Sequence, residues 1–265
     1  MFKFKKSLGQ NFLIDKNIIE KITCLTKIEK KNILEIGPGS GNLTKFIIKK
    51  KPKTLYLIEK DNFLSEKLKK ELYTNKNIKI FNTDVLKYNF EKNLITNTVI
   101  FGNLPYNIST QILIKLIKLN KWPPKYTHLI FMFQKEVAEK IIAKFNTDKY
   151  GRLSVISNWR LKVVNKFNIS KNCFKPKPKV DSMILVFKPI INKSFSIKKI
   201  KNLEKITHLF FSNKRKMINK NFKNLFKNYD LIAKKLNINL SCRPSELDLN
   251  KYYKITEFYE NLIEN

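Results

Sequence analysis

Two hydrophobic rhythms divide the chain. Compact apolar runs at Asn32–Ile36, Thr54–Ile58, Ile78–Phe81, Thr98–Phe101 and Tyr126–Gln134 read as buried strands. Between them, apolar residues recur at helical spacing. Ile18, Ile19, Ile22 and Leu25 share a face of a helix capped by Asp15 or Asn17 and running to about Thr26. Further helices are expected from about Asn42 to Lys50, over Ser109–Leu119 and over Val137–Ala143. Strands alternating with helices predict a parallel sheet covered on both faces. Two more β-like runs follow, Val155–Phe167 and Val180–Phe187, separated by Phe174–Lys179, where no regular structure is expected. After Pro189 the pattern is helical only, with Ile206, Leu209, Phe210, Asn213 and Met217 on one face. Ser241–Glu246 reads as a helix start, and Ile255, Phe258, Tyr259 and Leu262 form the stripe of the last helix. The composition change near Ile190–Ser196 suggests a domain of residues 1–190 and a small all-helical domain of residues 191–265.

The candidate chemistry sits where the strands end. The first strand runs into Gly37-Pro38-Gly39-Ser40-Gly41, so a strand, a glycine-rich turn and a helix follow one another, as in nucleotide-binding βαβ units. The spacing is not the Gly-x-Gly-x-x-Gly that cradles a pyrophosphate. With Glu35 just before it, the loop favours S-adenosylmethionine, which has no phosphate, over NAD. Glu59 ends the next strand, placed to accept from ribose hydroxyls; pairing with Lys60 is the plainer alternative. Asp84 follows the third strand and suits either an adenine amino group or a helix N-cap.

The fourth strand leads into Gly102-Asn103-Leu104-Pro105-Tyr106. An exocyclic amine on a base is a poor nucleophile because its lone pair is delocalised into the ring. Acceptors aimed at its N–H groups, here the Asn103 side-chain oxygen and the Leu104 carbonyl, favour a pyramidal nitrogen with an available lone pair. Tyr106 would stack on the base, and Pro105 pre-sets the turn. An ordinary Pro-containing loop with an anchoring Tyr is the plainer reading of these residues alone. Four successive strand ends carrying a Gly loop, Glu, Asp and Asn form a more specific pattern than any one of them. His128 lies inside a strand and reads as a core residue.

The formal net charge of +33 implies a polyanionic partner, most simply nucleic acid. The charge comes from Lys, since Arg is present only at 152, 160, 215 and 243; bias toward Lys, Asn and Ile codons accounts for part of it. Lys214, Arg215, Lys216 and Lys220 make a basic surface in the helical region, suited to phosphate contact or simple solvation. Cys24, Cys173 and Cys242 show no metal or redox spacing and suggest a reducing compartment. No stretch approaches the roughly 18 apolar residues of a membrane span, and the N-terminus lacks a signal-type apolar region, so a cytoplasmic, soluble protein is expected.

Six segments, in order, resemble the family of small-subunit ribosomal RNA adenine-N6,N6 dimethyltransferases (the kasugamycin-resistance dimethylase type). They are Lys-Ser-Leu-Gly-Gln-Asn-Phe-Leu (6–13), Leu-Glu-Ile-Gly-Pro-Gly-Ser-Gly (34–41), Asn-Leu-Pro-Tyr (103–106), Gln-Lys-Glu-Val-Ala (134–138), Tyr-Gly-Arg-Leu-Ser (150–154) and Phe-Lys-Pro-Lys-Pro-Lys-Val-Asp-Ser (174–182). The resemblance implies a Rossmann-like α/β methyltransferase sheet of seven strands, the last two an antiparallel hairpin, and a small all-helical C-terminal domain that docks RNA. It implies that Asn11 and Leu13 close over S-adenosylmethionine and that Gly37, Gly39, Glu59, Asp84 and Asn103 contact it, with no metal. Tyr106 and Phe174 would hold the target adenine between aromatic faces, with Asn103 and Leu104 orienting its amine. The implied partner is small-subunit ribosomal RNA in an immature particle, met by a monomer away from any membrane. Ser40 and Asn42 depart from the family's commoner small apolar residues, and Lys replaces much of its C-terminal Arg, giving up bidentate phosphate geometry.

Three other readings share parts of this pattern. A large-subunit RNA dimethylase shares most of the motifs, although the opening segment and the C-terminal helices argue against it. A DNA adenine methyltransferase would carry a separate target-recognition segment. A non-catalytic RNA-binding assembly factor would not need Glu59, Asp84 and Asn103 together.

Overall fold

A computed structural model of the chain describes residues 10–191 and 195–263. The Lys6–Gly9 part of the opening motif therefore lies outside the described residues, as do positions 192–194 of the expected boundary. Internal contacts gather the chain into two compact units, Met1–Ala138 with Lys162–Pro189, and Glu139–Leu161 with Ile190–Asn265. A simple division at residue 190 thus misses one exchange: Glu139–Leu161 belongs with the C-terminal helices.

The first unit opens with a short strand β1 (Phe12–Leu13) and helix α1 (Lys16–Thr23), which Asp15 caps by accepting from the Ile18 N–H at 3.0 Å. Four βα steps follow: β2 (Asn32–Ile36) and α2 (Asn42–Lys49), β3 (Thr54–Glu59) and α3 (Asn62–Leu72), β4 (Ile78–Asn82) and the single turn α4 (Phe90–Asn93), β5 (Thr98–Gly102) and α5 (Ser109–Ile117). Strand β6 (Tyr126–Gln134) completes a parallel set in the order β4-β3-β2-β5-β6. The middle of this set is covered on both faces, and every residue of β5 is buried, which is why these strands read as continuous apolar runs rather than alternating ones.

Beyond α6 (Lys135–Ile141) and α7 (Arg152–Arg160), the chain returns to the sheet as β7 (Leu161–Ile169), touches β1 through β8 (Phe174–Lys175), and enters β9 (Ser182–Pro189). Strand β9 inserts between β6 and β7 and runs antiparallel to β6, giving seven strands in all. The expected strand over Val155–Phe167 is corrected here: its first part is helix α7, and the strand begins only at Leu161. Val155, Ile156 and Trp159 are β-formers, and α7 buries Ser154, Ser157 and Arg160 as well, so it shows no amphipathic period. Phe174–Lys175 is likewise not irregular, because it pairs with the N-terminal strand in the register Phe12↔Lys175 and Leu13↔Phe174.

In the second unit α7 is joined by α8 (Ile200–Phe211), α9 (Asn219–Leu225), α10 (Tyr229–Lys235) and α11 (Leu249–Ile263). Helix α8 stops at Phe211, so Asn213 and Met217 do not continue its face, and Met217 is exposed. The region read as a helix start at Ser241–Glu246 holds only a 3-10 turn at Pro244–Glu246. Tyr252 anchors the unit: it is fully buried, stacks on Phe211 at 5.4 Å and donates its hydroxyl to the Pro244 carbonyl at 2.7 Å. No helix of the described residues is long and apolar enough to cross a membrane.

Glu260 on α11 is 1% exposed and accepts from the Lys198 and Lys199 N–H groups and from the Asn202 amide, at 2.6, 2.9 and 2.9 Å. Glu260→Leu would leave these donors without an acceptor. Urea unfolding is expected to show a loss of about 1–3 kcal/mol; an unchanged midpoint would contradict this role.

Candidate active site

Register creates the site. Ile36 of β2 lies opposite Ile58 of β3 and opposite Gly102 of β5, and Glu59 lies opposite Asn82 of β4. The C-terminal ends of four parallel strands therefore finish in one row, where open α/β sheets bind ligands. A cavity of about 200 Å³ opens along that row. Gly37, Gly39, Glu59, Asp84, Asn103, Leu104 and Tyr106 line it, and so do Asn11 and Leu13 of the N-terminal segment.

Gly102 is required by the sharp exit from β5. A Cβ there would stand 2.5 Å from the Leu104 side chain and 3.1 Å from the Phe131 ring. The chain can therefore fold back at once, carrying Asn103 to the cavity while Leu104 stays 2% exposed. The Asn103 amide donates to the Asn11 carbonyl at 3.0 Å. Its Oδ1 is thereby left on the acceptor side. No described residue donates to the Leu104 carbonyl. Tyr106 is only partly covered, and its hydroxyl shares a 2.6 Å hydrogen bond with Ser182 at the start of β9. Ser182 is fully buried, so the Tyr106 ring is pinned from the sheet side. Burial pushes the Tyr106 phenol above its usual range.

The three acidic residues have separate environments. Glu59 is 7% exposed and accepts the Gly39 N–H at 3.0 Å and the Asp61 N–H at 2.8 Å. Burial raises its pKa, and the backbone N–H groups of Asp61, Gly39 and Lys60 oppose that rise. The Lys60 ammonium does not pair with it but reaches Asp84, at 2.9 Å, and Lys60 meets Glu59 only through its backbone N–H. That ammonium, with the Leu86 N–H, holds the Asp84 carboxyl below its usual range. The bond to Leu86 closes a side-chain turn with no helix behind it, so Asp84 is not a helix N-cap. Glu35 is enclosed beneath the glycine loop, accepts from the Thr44 hydroxyl at 2.7 Å, and is pushed by burial up to about 8.

Phe174 is where the structure departs from expectation. It does not line the cavity; it is 3% exposed and packs in the cluster that contains Leu13, Ile169 and Ile184. The β1–β8 register places it opposite Leu13 and turns its ring into the core. The structure therefore brings Asn103, Leu104 and Tyr106 together without Phe174. Two contributors were not singled out from the sequence, Ser182 and Thr44. Each is a buried hydroxyl whose role depends on a partner far away in the chain or on another element, and no local spacing announces it.

The donor set suits S-adenosylmethionine. Carboxylates of Glu59 and Asp84 face the cavity with lone pairs for hydroxyl and amine donors, Gly37 presents bare backbone, and Ile36, Val85 and Leu86 supply apolar wall for a ring.

Glu35 also makes stability depend on pH. The folded chain holds its proton up to about pH 8, whereas the ordinary value is 4.5. Between these values the folded state binds more protons than the unfolded, so unfolding free energy falls as pH rises. Glu35→Gln is expected to flatten the decline of the urea midpoint between pH 5 and pH 8. Parallel declines in the two proteins would exclude Glu35 as the cause.

The family model for ribosomal RNA adenine dimethylase matches residues 1–261. A Pelagibacter ubique protein named ribosomal RNA small subunit methyltransferase A is 49% identical over 98% of this chain and 98% of its own. A Mycoplasma mobile protein of the same name is 40% identical over 97% and 98%. Among solved structures, a dimethyladenosine transferase from Plasmodium falciparum is 28% identical, with a TM-score of 0.78 over 96% of this chain and 98% of that one. The 23S rRNA methyltransferase ErmE shares the fold at 21% identity, with a TM-score of 0.68 over 94% and 99%. The chain belongs to the ribosomal RNA adenine dimethylase family.

Proposed function

We propose that this chain methylates the N6 amines of two adjacent adenosines near the 3′ end of small-subunit ribosomal RNA, giving N6,N6-dimethyladenosine. The observation that carries this reading is the disposition of Asn103. Its N–H is committed to the Asn11 carbonyl, so an acceptor oxygen remains for the target amine, next to the Leu104 carbonyl. The names of the bacterial relatives support the small-subunit assignment.

S-adenosylmethionine, the methyl donor, supplies an electrophilic sulfonium methyl. Glu59 and Asp84 would hold it through their carboxylates, Gly37 and Gly39 through bare backbone, and Asn11 and Leu13 from the arm above. Asn103 and Leu104 accept from the target N6 and hold its lone pair toward the donor, which is a gain of positioning rather than of acid–base power. Tyr106, braced by Ser182, offers one ring face to the extruded adenine. Phe174 would serve as the opposite face only after leaving its packed position against Leu13.

The RNA is drawn in by charge. In the helical unit Arg215, Lys216 and Lys220 are exposed, while Lys214 is tied to the Asp148 carbonyl, so the first three are the groups available to phosphates. The reaction is assigned to the cytoplasm, on an immature small-subunit particle. In this reading the protein acts as a monomer.

Transfer of labelled methyl from S-adenosylmethionine to unmethylated small-subunit particles tests the reading. Two methyls on each of two neighbouring adenines are expected, with Asn103→Ala lowering the rate on the order of a hundredfold. Particle binding without transfer would make the chain an assembly factor, and label confined to large-subunit RNA would move its substrate.

A further inference from the structure

The arm that covers the cavity is held along both edges. An extended strand turns the N–H and C=O groups of alternate residues to opposite sides. On one edge, the Ile14 N–H donates to the Cys173 carbonyl at 2.9 Å, continuing the β1–β8 pairing. On the other edge lie the carbonyls of Asn11 and Leu13. There, two side-chain amides stand in for a third strand: Asn103 donates to the Asn11 carbonyl at 3.0 Å, and Asn42 donates to the Leu13 carbonyl at 2.8 Å. Between them, the Phe12 ring lies against Gly39 so closely that a Cβ there would be 2.5 Å from it.

This arrangement sets the orientation of the catalytic amide. An Asn side chain is nearly symmetric in shape but not in chemistry: one end donates and the other accepts. The Asn11 carbonyl accepts only, so while it sits opposite Asn103 the amide must turn its N–H to the arm and its oxygen toward the target. If the arm shifts, that preference is lost. An Asn103 turned the other way would present N–H groups to an amine that also bears N–H groups.

We propose that Asn42 is a positioning residue for methyl transfer, acting through the arm's Leu13 and Asn11 carbonyls to keep the Asn103 oxygen facing the substrate amine. Asn42 is the first residue of α2, and that helix is fixed by the glycine loop before it and by the buried Leu43, Thr44 and Ile47. It therefore ties the two-residue strand β1 to a helix packed into the core.

The inference rests on the methyltransferase reading, so its test pairs a rate with a measurement that needs no turnover. Three variants are compared with wild type: Asn42→Ala, Asn42→Asp, which keeps size but cannot donate, and Asn42→Ser, which restores a donor. Hydrogen exchange at the Ile14 amide is expected to quicken in Ala and Asp, and less so in Ser. In particles supplied with saturating S-adenosylmethionine, kcat is expected to fall roughly tenfold in Ala and Asp, the worth of one hydrogen bond. KM for the particle should be unchanged, and Ser should recover part of the loss. Asn42→Asp with wild-type kcat would overturn the proposal. So would a loss confined to KM for S-adenosylmethionine, which would make Asn42 a direct donor contact, or a loss matched by a fall in melting temperature. A wild-type protein that transfers no methyl while the Ile14 exchange still responds to Asn42 would refute the methyltransferase reading and leave the tether standing.

Discussion

Unslipped parallel pairing is the constraint from which the site follows. Strands β2, β3 and β5 are hydrogen-bonded in registers that end level, with Ile36 beside Ile58 on one side and Gly102 on the other. A strand slipped by one residue would exchange the side chains packed on its two faces, so the fit of those side chains against their neighbours holds the register. Because the strands end level, residues far apart in sequence become neighbours around one cavity. Gly37, Glu59 and Asn103 each need only be the first residue past, or the last residue of, its own strand.

That logic explains how much of the molecule could be read in advance. The parallel strands were legible because each is a compact apolar run, and Glu59, Asp84 and Asn103 because they punctuate those runs. Helix α7 was not legible, since burial around most of its surface erased the helical period that would have marked it. Phe174 was read as a stacking ring from its setting among lysines and prolines. Its partner Leu13 comes from the other end of the unit, so the pairing that buries it leaves no local trace.

Electrostatics in the cavity follow the same division between rim and floor. At the rim, Asp84 is bound by Lys60 and stays ionised, its pKa lowered by that ammonium. On the floor, Glu35 is enclosed and proton-holding, with Thr44 for company. Glu59 lies between, buried yet served by backbone N–H donors that oppose the effect of burial on its carboxyl.

The two-residue sheet of β1 and β8 has a bearing on how the protein is made. Its strands lie far apart in the first unit's sequence, and closing so long a loop brings its contacts in late. During synthesis the glycine loop, Glu59 and Asn103 can all emerge and take their places in the sheet before Phe174 and Lys175 exist. Until then the arm has only one of its two edges secured. The N-terminal wall of the cavity is thus completed last, and a nascent chain has its strand-end residues in place before that wall is secured.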